Sequence, residues 1–184
     1  MKKALFIDRD GVINRSIVRS GKPYAPTRLA DLEILEGVPQ ALDALHAAGW
    51  MIVIVTNQPD IATGKQTLDG LELIHAKIQA QCAIDAIVVC PHADADHCSC
   101  RKPKPGMLIK AALELGIDLS QSYMIGDRWR DIACGQAAGC KGNFWINYGY
   151  LEALPEQPYL EVKSLAECVN FILALSISKS KNPN

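Results

Sequence analysis

The sequence predicts a doubly wound α/β fold, in which helices cover both faces of a parallel sheet. Short, continuously apolar runs alternate along the chain with longer segments of helical periodicity, and three of the apolar runs end in polar residues. Continuously apolar strands are typical of a parallel sheet buried on both faces, and β-α alternation is typical of doubly wound topology. We therefore expect one domain over residues 1–175, followed by a frayed tail over residues 176–184.

Composition is that of an ordinary globular domain. The chain has 184 residues, of which 49% are hydrophobic and 21% charged. The formal net charge of -1 provides no field that would attract nucleic acid or an anionic membrane, so the expected partner is a small, locally bound ligand. No apolar stretch approaches the length of a membrane span, and no cleavage site follows Lys2-Lys3. We expect a cytoplasmic protein with neither nucleic-acid nor membrane partners.

The strands are predicted from their apolar character. Continuous apolar runs, several of them β-branched, predict strands at 4–7, 51–55, 86–89, 123–125 and 141–146. Between the first two strands, residues 14–36 are polar, and Gly21, Pro23 and Pro26 break any periodicity. We expect this segment to be an irregular loop that faces the substrate.

The helices are predicted from apolar spacing and from their end signals. Apolar residues at helical spacing predict helices at 39–48, 68–81, 105–115, 131–138 and 164–175. Glycines 49, 116 and 139 follow three of these segments and are expected to end them. Pro105 lies in a first turn, where its missing N–H costs least, and Ser164 with Glu167 has the spacing of a capping box.

Polar residues follow three of the predicted strands. Asp8 and Asp10 come after the first strand, Thr56-Asn57 after the second and Asp127 after the fourth. Two acids one residue apart are common by chance and do not identify a site by themselves. The carboxyl ends of parallel strands meet in one crevice, however, so the joint occurrence favours a functional site there.

These residue types match the needs of phosphoryl transfer, which requires a nucleophile, a cation and hydrogen-bond donors for the phosphoryl oxygens. Asp8, nearest the strand end, is the expected nucleophile, because aspartate can form an aspartyl-phosphate. Asp10 can protonate the leaving group and later activate water. Asp127 would complete a Mg²⁺ site with Asp8, and Thr56 can donate its hydroxyl hydrogen.

Three further residues have an alternative reading. Arg101 and Lys102 bring positive charge to the start of a predicted helix, but they can equally be a solvated charge pair. Asp131 either belongs to the metal site or caps its own helix.

The ordered motifs resemble those of the haloacid dehalogenase superfamily of phosphatases, over the chain to about residue 150. The motifs are Asp8-Arg9-Asp10-Gly11-Val12, Thr56-Asn57, Lys102 and Gly126-Asp127-Arg128-Trp129-Arg130-Asp131. By this resemblance Asp8 is the nucleophile, and Asp10 is the acid/base and a metal ligand through its backbone carbonyl. It also implies that Thr56 and Lys102 bind phosphate, that Asp127 binds Mg²⁺, and that the sheet is Rossmann-like. No large insertion separates the motifs, so we expect no cap domain, an open crevice and a monomer.

A cluster of cysteines predicts a second metal. Cys90, His92, Cys98 and Cys100 place three thiols and one imidazole in a short stretch, the closed ligand set typical of structural Zn²⁺. The alternatives are a redox or incidental cluster, or competition from Asp94 and His97. Zinc would fix the loop directly before Arg101 and Lys102 and present their charges to the crevice. The remaining cysteines, Cys82, Cys134, Cys140 and Cys168, are expected to be core thiols.

The pattern C-x-H followed by C-x-C-R-K-P resembles the superfamily branch that acts on a heptose bisphosphate or on histidinol phosphate. The resemblance implies substrate contacts from Asn57, Gln58, Arg101 and Arg128. Arg15, Arg19 and Lys22 favour a substrate with a second phosphate, although a solvated loop would be equally basic. We therefore expect a Mg²⁺-dependent, zinc-containing phosphatase of D-glycero-D-manno-heptose 1,7-bisphosphate. Histidinol-phosphate phosphatase and a non-catalytic binding protein are the alternatives.

Overall fold

Six parallel strands form the central sheet of the computed structural model, which describes residues 1–180. In chain order they are β1 Ala4–Ile7, β4 Met51–Asn57, β5 Ala86–Cys90, β6 Tyr123–Gly126, β7 Gly142–Ile146 and β8 Leu160–Val162. Their spatial order is β5-β4-β1-β6-β7-β8. β1 is hydrogen-bonded on both sides, to β4 and β6, and all four of its residues are fully buried. The residue that follows β1 is therefore held at the centre of the sheet's carboxyl edge.

Helices cover both faces of the sheet, which confirms the predicted fold class. The helices are α1 Val38–Ala47, α2 Pro59–Ala62, α3 Leu68–Gln79, α4 Gly106–Leu115, α5 Trp129–Ala137 and α6 Leu165–Ser180. Leu5 and Ile7 of β1 pack in one core with α1, α3 and α6, whereas Ala4 and Phe6 pack in a second core with α4 and α5. Alternate residues of a strand point to opposite faces, so one short apolar strand supplies both cores. Within residues 1–180, no helix is both long enough and apolar enough to cross a membrane.

The prediction of an irregular loop over residues 14–36 is wrong in its centre. A β-hairpin forms there, with antiparallel strands β2 Ile17–Arg19 and β3 Lys22–Tyr24. Ser20 and Gly21 form its turn with positive φ values of 49° and 73°, the left-handed conformation that two-residue hairpin turns require. Gly21, which is expected from the sequence to break periodicity, instead forms part of the turn that pairs the flanking residues.

The prediction also omitted β8 and α2, because three and four residues are too short to show a period. Half of the predicted capping box forms before α6: the Glu167 N–H donates to Ser164 Oγ at 3.2 Å, whereas Glu167 Oε2 accepts at 2.6 Å from the N–H of Lys163, one residue before the cap. α6 continues through Ser180, into the segment predicted to be frayed. The rest of that predicted tail, residues 181–184, lies outside the described residues.

Candidate active site

The carboxylate of Asp8 lies directly beyond β1 and is almost completely buried. Its backbone N–H donates to the carbonyl of Ile125 at 2.9 Å, which continues the pairing of β1 with β6. Its Oδ1 accepts a 2.7 Å hydrogen bond from Lys102 Nζ. The same ammonium contacts Asp131 Oδ1 at 2.6 Å and donates to the carbonyl of Val55 at 2.9 Å. Lys102 is therefore not a solvated charge but a buried cation between two carboxylates.

Three buried carboxylates, Asp8, Asp127 and Asp131, gather at this point with oxygen atoms that all lie within 4.8 Å of one another. Burial raises the pKa of Asp8 to about 7, with Asp131 and Asp10 acting in the same direction and Lys102 opposing them. Burial, with Asp8 and Asp131, also raises the pKa of Asp127 well above its ordinary value. Three acids thus share one lysine, and a divalent cation would offset the remaining repulsion.

The donor chemistry of this cluster fits Mg²⁺. All of its side-chain ligands are carboxylate oxygens, which hard cations prefer. Asp127 Oδ1 is buried without a hydrogen-bond partner, so this carboxylate has an oxygen free to act as a metal ligand. Gly11 packs against this carboxylate so closely that a Cβ there would overlap it. This close approach explains the glycine that follows Asp8 and Asp10.

Asp131 is not the N-cap of its helix, because α5 begins two residues earlier, at Trp129, but its carboxylate serves both the helix end and the buried cluster. Its Oδ2 accepts a 3.0 Å hydrogen bond from the Arg128 N–H and so caps α5, while its Oδ1 contacts Lys102. The first turn of α5 therefore brings the third carboxylate to the cluster.

The side chain of Asp10 does not join the carboxylate cluster. Its Oδ1 accepts from Arg9 Nε at 3.1 Å, Arg9 Nη2 at 3.0 Å and Asn14 Nδ2 at 3.0 Å. Its Oδ2 accepts from Gln58 Nε2 at 2.9 Å. A metal contact from Asp10 would therefore come from its backbone, as the family resemblance implies.

Thr56, Asn57 and Gln58 at the end of β4 connect the other site residues. Gln58 is fully buried, and its Nε2 donates to Thr56 Oγ1 at 2.8 Å as well as to Asp10 Oδ2. Gln58 therefore contacts the predicted acid/base and does not line the crevice. Asn57 exchanges two hydrogen bonds with the backbone of Lys102, at 3.1 and 3.2 Å. Asn57 thereby holds the segment that carries the lysine.

Cys90, His92, Cys98 and Cys100 meet at the end of β5. The sulfur–sulfur distances are 3.7, 3.3 and 3.4 Å, and His92 Nδ1 lies 3.6 Å from Cys90 Sγ and 3.3 Å from Cys100 Sγ. Zinc–sulfur bonds of about 2.3 Å in a tetrahedron would separate the sulfurs by about 3.8 Å, close to these values. No residue of this group forms a disulfide. The four side chains fit a structural Zn²⁺ ion.

Asp94 and His97, named above as competing ligands, do not join this thiol and imidazole cluster. Asp94 Oδ1 instead accepts from Arg101 Nε at 2.8 Å and from Arg130 Nη1 at 2.9 Å. These two arginines lower the pKa of Asp94 to about 2. Asp94 therefore ties the cysteine loop to α5 through two cations.

A crevice of about 250 Å³ opens beside Asp8 and Asp10. Four cationic side chains other than Lys102 reach its walls: Lys22, Arg101, Arg128 and Arg130. Arg128 is oriented by Glu152, which accepts from its Nε at 3.0 Å and its Nη2 at 2.6 Å. Lys22, Pro23 and Tyr24 of β3 form one wall, so the unpredicted hairpin is part of the crevice. Arg15 is held by Glu33 outside that wall, at 2.8 and 3.0 Å.

Sequence reasoning missed two tyrosines that support the site. Tyr150 donates its hydroxyl hydrogen to Asp127 Oδ2 at 2.9 Å, and Tyr148 donates to the carbonyl of Gly11 at 3.0 Å. Both tyrosines follow β7. Polar residues just after parallel strands meet at one edge of the sheet, and applying this rule to β7 as well would have identified them. The contact between Arg9 and His75 was also missed, because His75 has the spacing of an ordinary core residue on α3 and Arg9 is 66 positions away in the sequence.

Comparison with known proteins gives consistent matches. The family model for haloacid dehalogenase-like hydrolases matches residues 11–139. A Helicobacter pylori strain J99 protein named D-glycero-beta-D-manno-heptose-1,7-bisphosphate 7-phosphatase is 32% identical, over 92% of this chain and 97% of its own. The Pseudomonas aeruginosa protein of the same name is 37% identical, over 76% of this chain and 79% of its own.

A solved structure has the same architecture. The D,D-heptose 1,7-bisphosphate phosphatase from B. bronchiseptica, crystallised with magnesium and phosphate, aligns with a TM-score of 0.82 and 31% sequence identity. The alignment covers 94% of this chain and 99% of that one.

Proposed function

The chain belongs to the haloacid dehalogenase-like hydrolases and is a phosphoric monoester hydrolase, and we propose that it removes the 7-phosphate of D-glycero-D-manno-heptose 1,7-bisphosphate. The observation that carries the proposal is the placement of Asp8. Its carboxylate is fixed by β1 and Lys102, two residues before a second acid, at the inner end of a crevice with cationic walls. The relatives and the solved structure named above support the choice of substrate.

Asp8 and Asp10 divide the reaction between them. A carboxylate oxygen of Asp8 attacks phosphorus, the bond from phosphorus to the sugar oxygen breaks, and Asp10 gives its proton to that oxygen. Asp10 then takes a proton from water, and the water oxygen attacks the phosphorus of the aspartyl-phosphate. The bond from phosphorus to Asp8 breaks, which releases inorganic phosphate and regenerates the carboxylate. Lys102 holds Asp8 in position and neutralises charge on the phosphoryl oxygens, while Thr56 donates a hydrogen bond to them.

Two metals belong to the proposal. Asp8 and Asp127, with Asp131 beside them and the backbone carbonyl of Asp10, hold Mg²⁺, which neutralises charge on the transferring phosphoryl group when bound. Cys90, His92, Cys98 and Cys100 hold Zn²⁺ as a closed structural site. The unpaired oxygen of Asp127 and the packed thiols support these assignments.

The second phosphate of the substrate is recognised by the outer cations of the crevice. Arg101, Arg128 and Arg130 line its walls with Lys22, and guanidinium groups bind phosphate through paired N–H donors. Asn57 also lines the crevice and contacts the sugar, whereas Gln58 acts from behind Asp10. Histidinol phosphate carries one phosphate and an amine, so these outer cations would have no anionic partner on it.

A substrate panel tests the proposal. Phosphate release is measured with the α and β anomers of the heptose 1,7-bisphosphate, the heptose 7-monophosphate, histidinol phosphate and p-nitrophenyl phosphate, each with and without Mg²⁺. The bisphosphate should give the highest kcat/KM and the monophosphate a higher KM. A preference for histidinol phosphate would identify it as the substrate in place of the heptose bisphosphate. Binding without turnover of any ester would identify a non-catalytic protein.

A further inference from the structure

Arg9, between the two catalytic acids, is fully buried and is the largest fully buried side chain of the described residues. Its Nε and Nη2 both donate to Asp10 Oδ1. Its Nη1 points the other way and lies 3.1 Å from His75 Nε2. Arg9 thus joins the predicted acid/base to a helix of the core.

His75 lies on the buried face of α3, beside Leu71, Ile74 and Ile78, and is 9% exposed. A guanidinium only donates hydrogen bonds, so His75 Nε2 must accept with its lone pair, and the imidazole is neutral with its proton on Nδ1. Burial, together with the charge of Arg9, lowers the pKa of His75 to about 4, in agreement with this protonation state.

A neutral acceptor serves this position better than an acid would. A carboxylate at residue 75 would pair with Arg9 and compete with Asp10 for its charge. An apolar side chain would leave a buried N–H without an acceptor, and Arg9 would tend to move toward another one. The imidazole satisfies Nη1 and leaves the charge of Arg9 directed at Asp10.

We infer that His75 is a positioning residue for the acid/base, which holds Arg9 so that Arg9 holds the carboxylate of Asp10. This inference rests on the proposed function, because it assigns Asp10 the proton-transfer role. Oδ1 of Asp10 already accepts three N–H groups, whereas Oδ2 accepts one, from Gln58. Oδ2 is therefore the oxygen that gives the proton to the leaving group and takes one from water.

The test compares two leaving groups in His75→Phe. A sugar alkoxide must be protonated as it leaves, whereas p-nitrophenolate leaves without an acid. For a phosphatase that forms a covalent intermediate, kcat/KM reports only the steps up to and including release of the alcohol. Asp10 acts as the acid in those steps. General acid catalysis contributes a factor of about 10² to 10⁴ in rate. If the carboxylate of Asp10 is no longer held in position, part of this factor is lost, and kcat/KM for the heptose bisphosphate should fall about tenfold because kcat falls. The value for p-nitrophenyl phosphate should change less than about threefold.

The ratio of the two kcat/KM values does not depend on how much of the variant folds. His75→Gln places an amide oxygen near the position of Nε2 and should restore the wild-type ratio. His46→Phe, a histidine on the exposed side of α1, is the matched control and should leave the ratio unchanged. An equal loss on both esters in His75→Phe, or no loss on either, would overturn the inference. Wild-type protein inactive on every ester would instead refute the proposed function.

Discussion

The carboxylate cluster and the cysteine cluster are both suited to metal ions, yet the chain builds them in opposite ways. The first joins residues that are far apart in sequence, such as Asp8, which follows β1, and Lys102, which is 94 positions later in the loop before α4. The second lies within one loop, where Cys90 and Cys100 are 10 positions apart. The sheet therefore preforms the first site, whereas the second would depend on the proposed Zn²⁺ ion to fix the loop. Damage to the carboxylate cluster should leave the cysteine cluster intact, whereas damage to the cysteine cluster should reach the carboxylates only through Lys102.

The largest expected effect is that of Asp8→Asn. An amide cannot form the aspartyl-phosphate, so turnover should fall at least about 10³-fold. The zinc content should remain that of the wild type, because the loop does not depend on Asp8. Activity within tenfold of wild type would remove Asp8 from the role of nucleophile.

In the absence of Mg²⁺, the same substitution should not lower stability, although it abolishes turnover. Because folding raises the pKa of Asp8 from 3.8 to about 7, the free energy of unfolding should fall as the pH rises through that interval. Asn carries no charge that burial would penalise. At pH 8, the melting temperature of metal-free Asp8→Asn should therefore equal that of the wild type or exceed it by up to about 4 °C. Because buried Asp127 still titrates in the variant, the test is the difference: between thermal melts at pH 5 and pH 8 the wild type should lose more stability than the variant.

The second effect concerns the zinc loop. In Cys98→Ser or Cys100→Ser, zinc should be lost, and the segment that positions Arg101 and Lys102 should loosen. We expect an increase in KM and a decrease in kcat, about 10- to 100-fold together in kcat/KM, since loss of ordering around a bound group commonly costs this much. Circular dichroism should retain the bulk secondary structure, because the sheet supplies the core. Zinc-free protein with unchanged kcat/KM would show that the cluster does not position the substrate.

A third, smaller effect tests the support of the carboxylate cluster. Tyr150→Phe removes the hydroxyl that donates to Asp127 Oδ2. Loss of such an outer partner typically costs about 10- to 100-fold in metal affinity, and we expect the lower end here, since Asp8 and Asp131 remain. Activity measured against Mg²⁺ concentration should show a higher half-activating concentration and nearly the same maximal rate. Tyr148→Phe, whose hydroxyl contacts a backbone carbonyl, is the matched control.

The smallest effect lies where the two regions meet. Asp94→Asn weakens the contacts to Arg101 and Arg130, but Asp94 is 66% exposed, so the loss of stability should stay below about 1 kcal/mol. We expect about a two- to threefold increase in KM for the bisphosphate and no change for p-nitrophenyl phosphate, which leaves the outer cations unused. An increase for both esters would mean that Asp94 affects the inner site.

The sequence predicted the fold and the local cluster more completely than the catalytic contacts. The ligand pattern at Cys90 to Cys100 is short enough to be recognised in the sequence, and β1 is apolar enough to be placed with both of its ends. The strand predicted at 51–55 extends two residues further, because Thr56 and Asn57 are polar yet belong to β4. The contacts that hold the second acid could not be predicted, because Asp10 is bound by Arg9, Asn14 and Gln58 in ways that only the folded chain defines.

Two kinds of feature escaped prediction for separate physical reasons. The β2–β3 hairpin is made by two left-handed residues, and the same Ser20-Gly21 pair also occurs in irregular loops. His75 has the spacing of a core residue on α3, and only the neighbouring guanidinium gives its imidazole a role. Burial patterns identify such positions as core but do not reveal which buried atoms are paired.

The central claim is that Asp8 carries the phosphoryl group, and trapping that group tests it most directly. Asp10→Asn should still accept phosphate from p-nitrophenyl phosphate but should activate water poorly, so the phosphorylated protein should accumulate. Intact mass after acid quench, followed by borohydride reduction and peptide mapping, locates the modification. We predict a gain of one phosphoryl group per chain, on the carboxylate of Asp8. A p-nitrophenol burst without phosphorylated protein, or a phosphoryl group on another residue, would contradict the account.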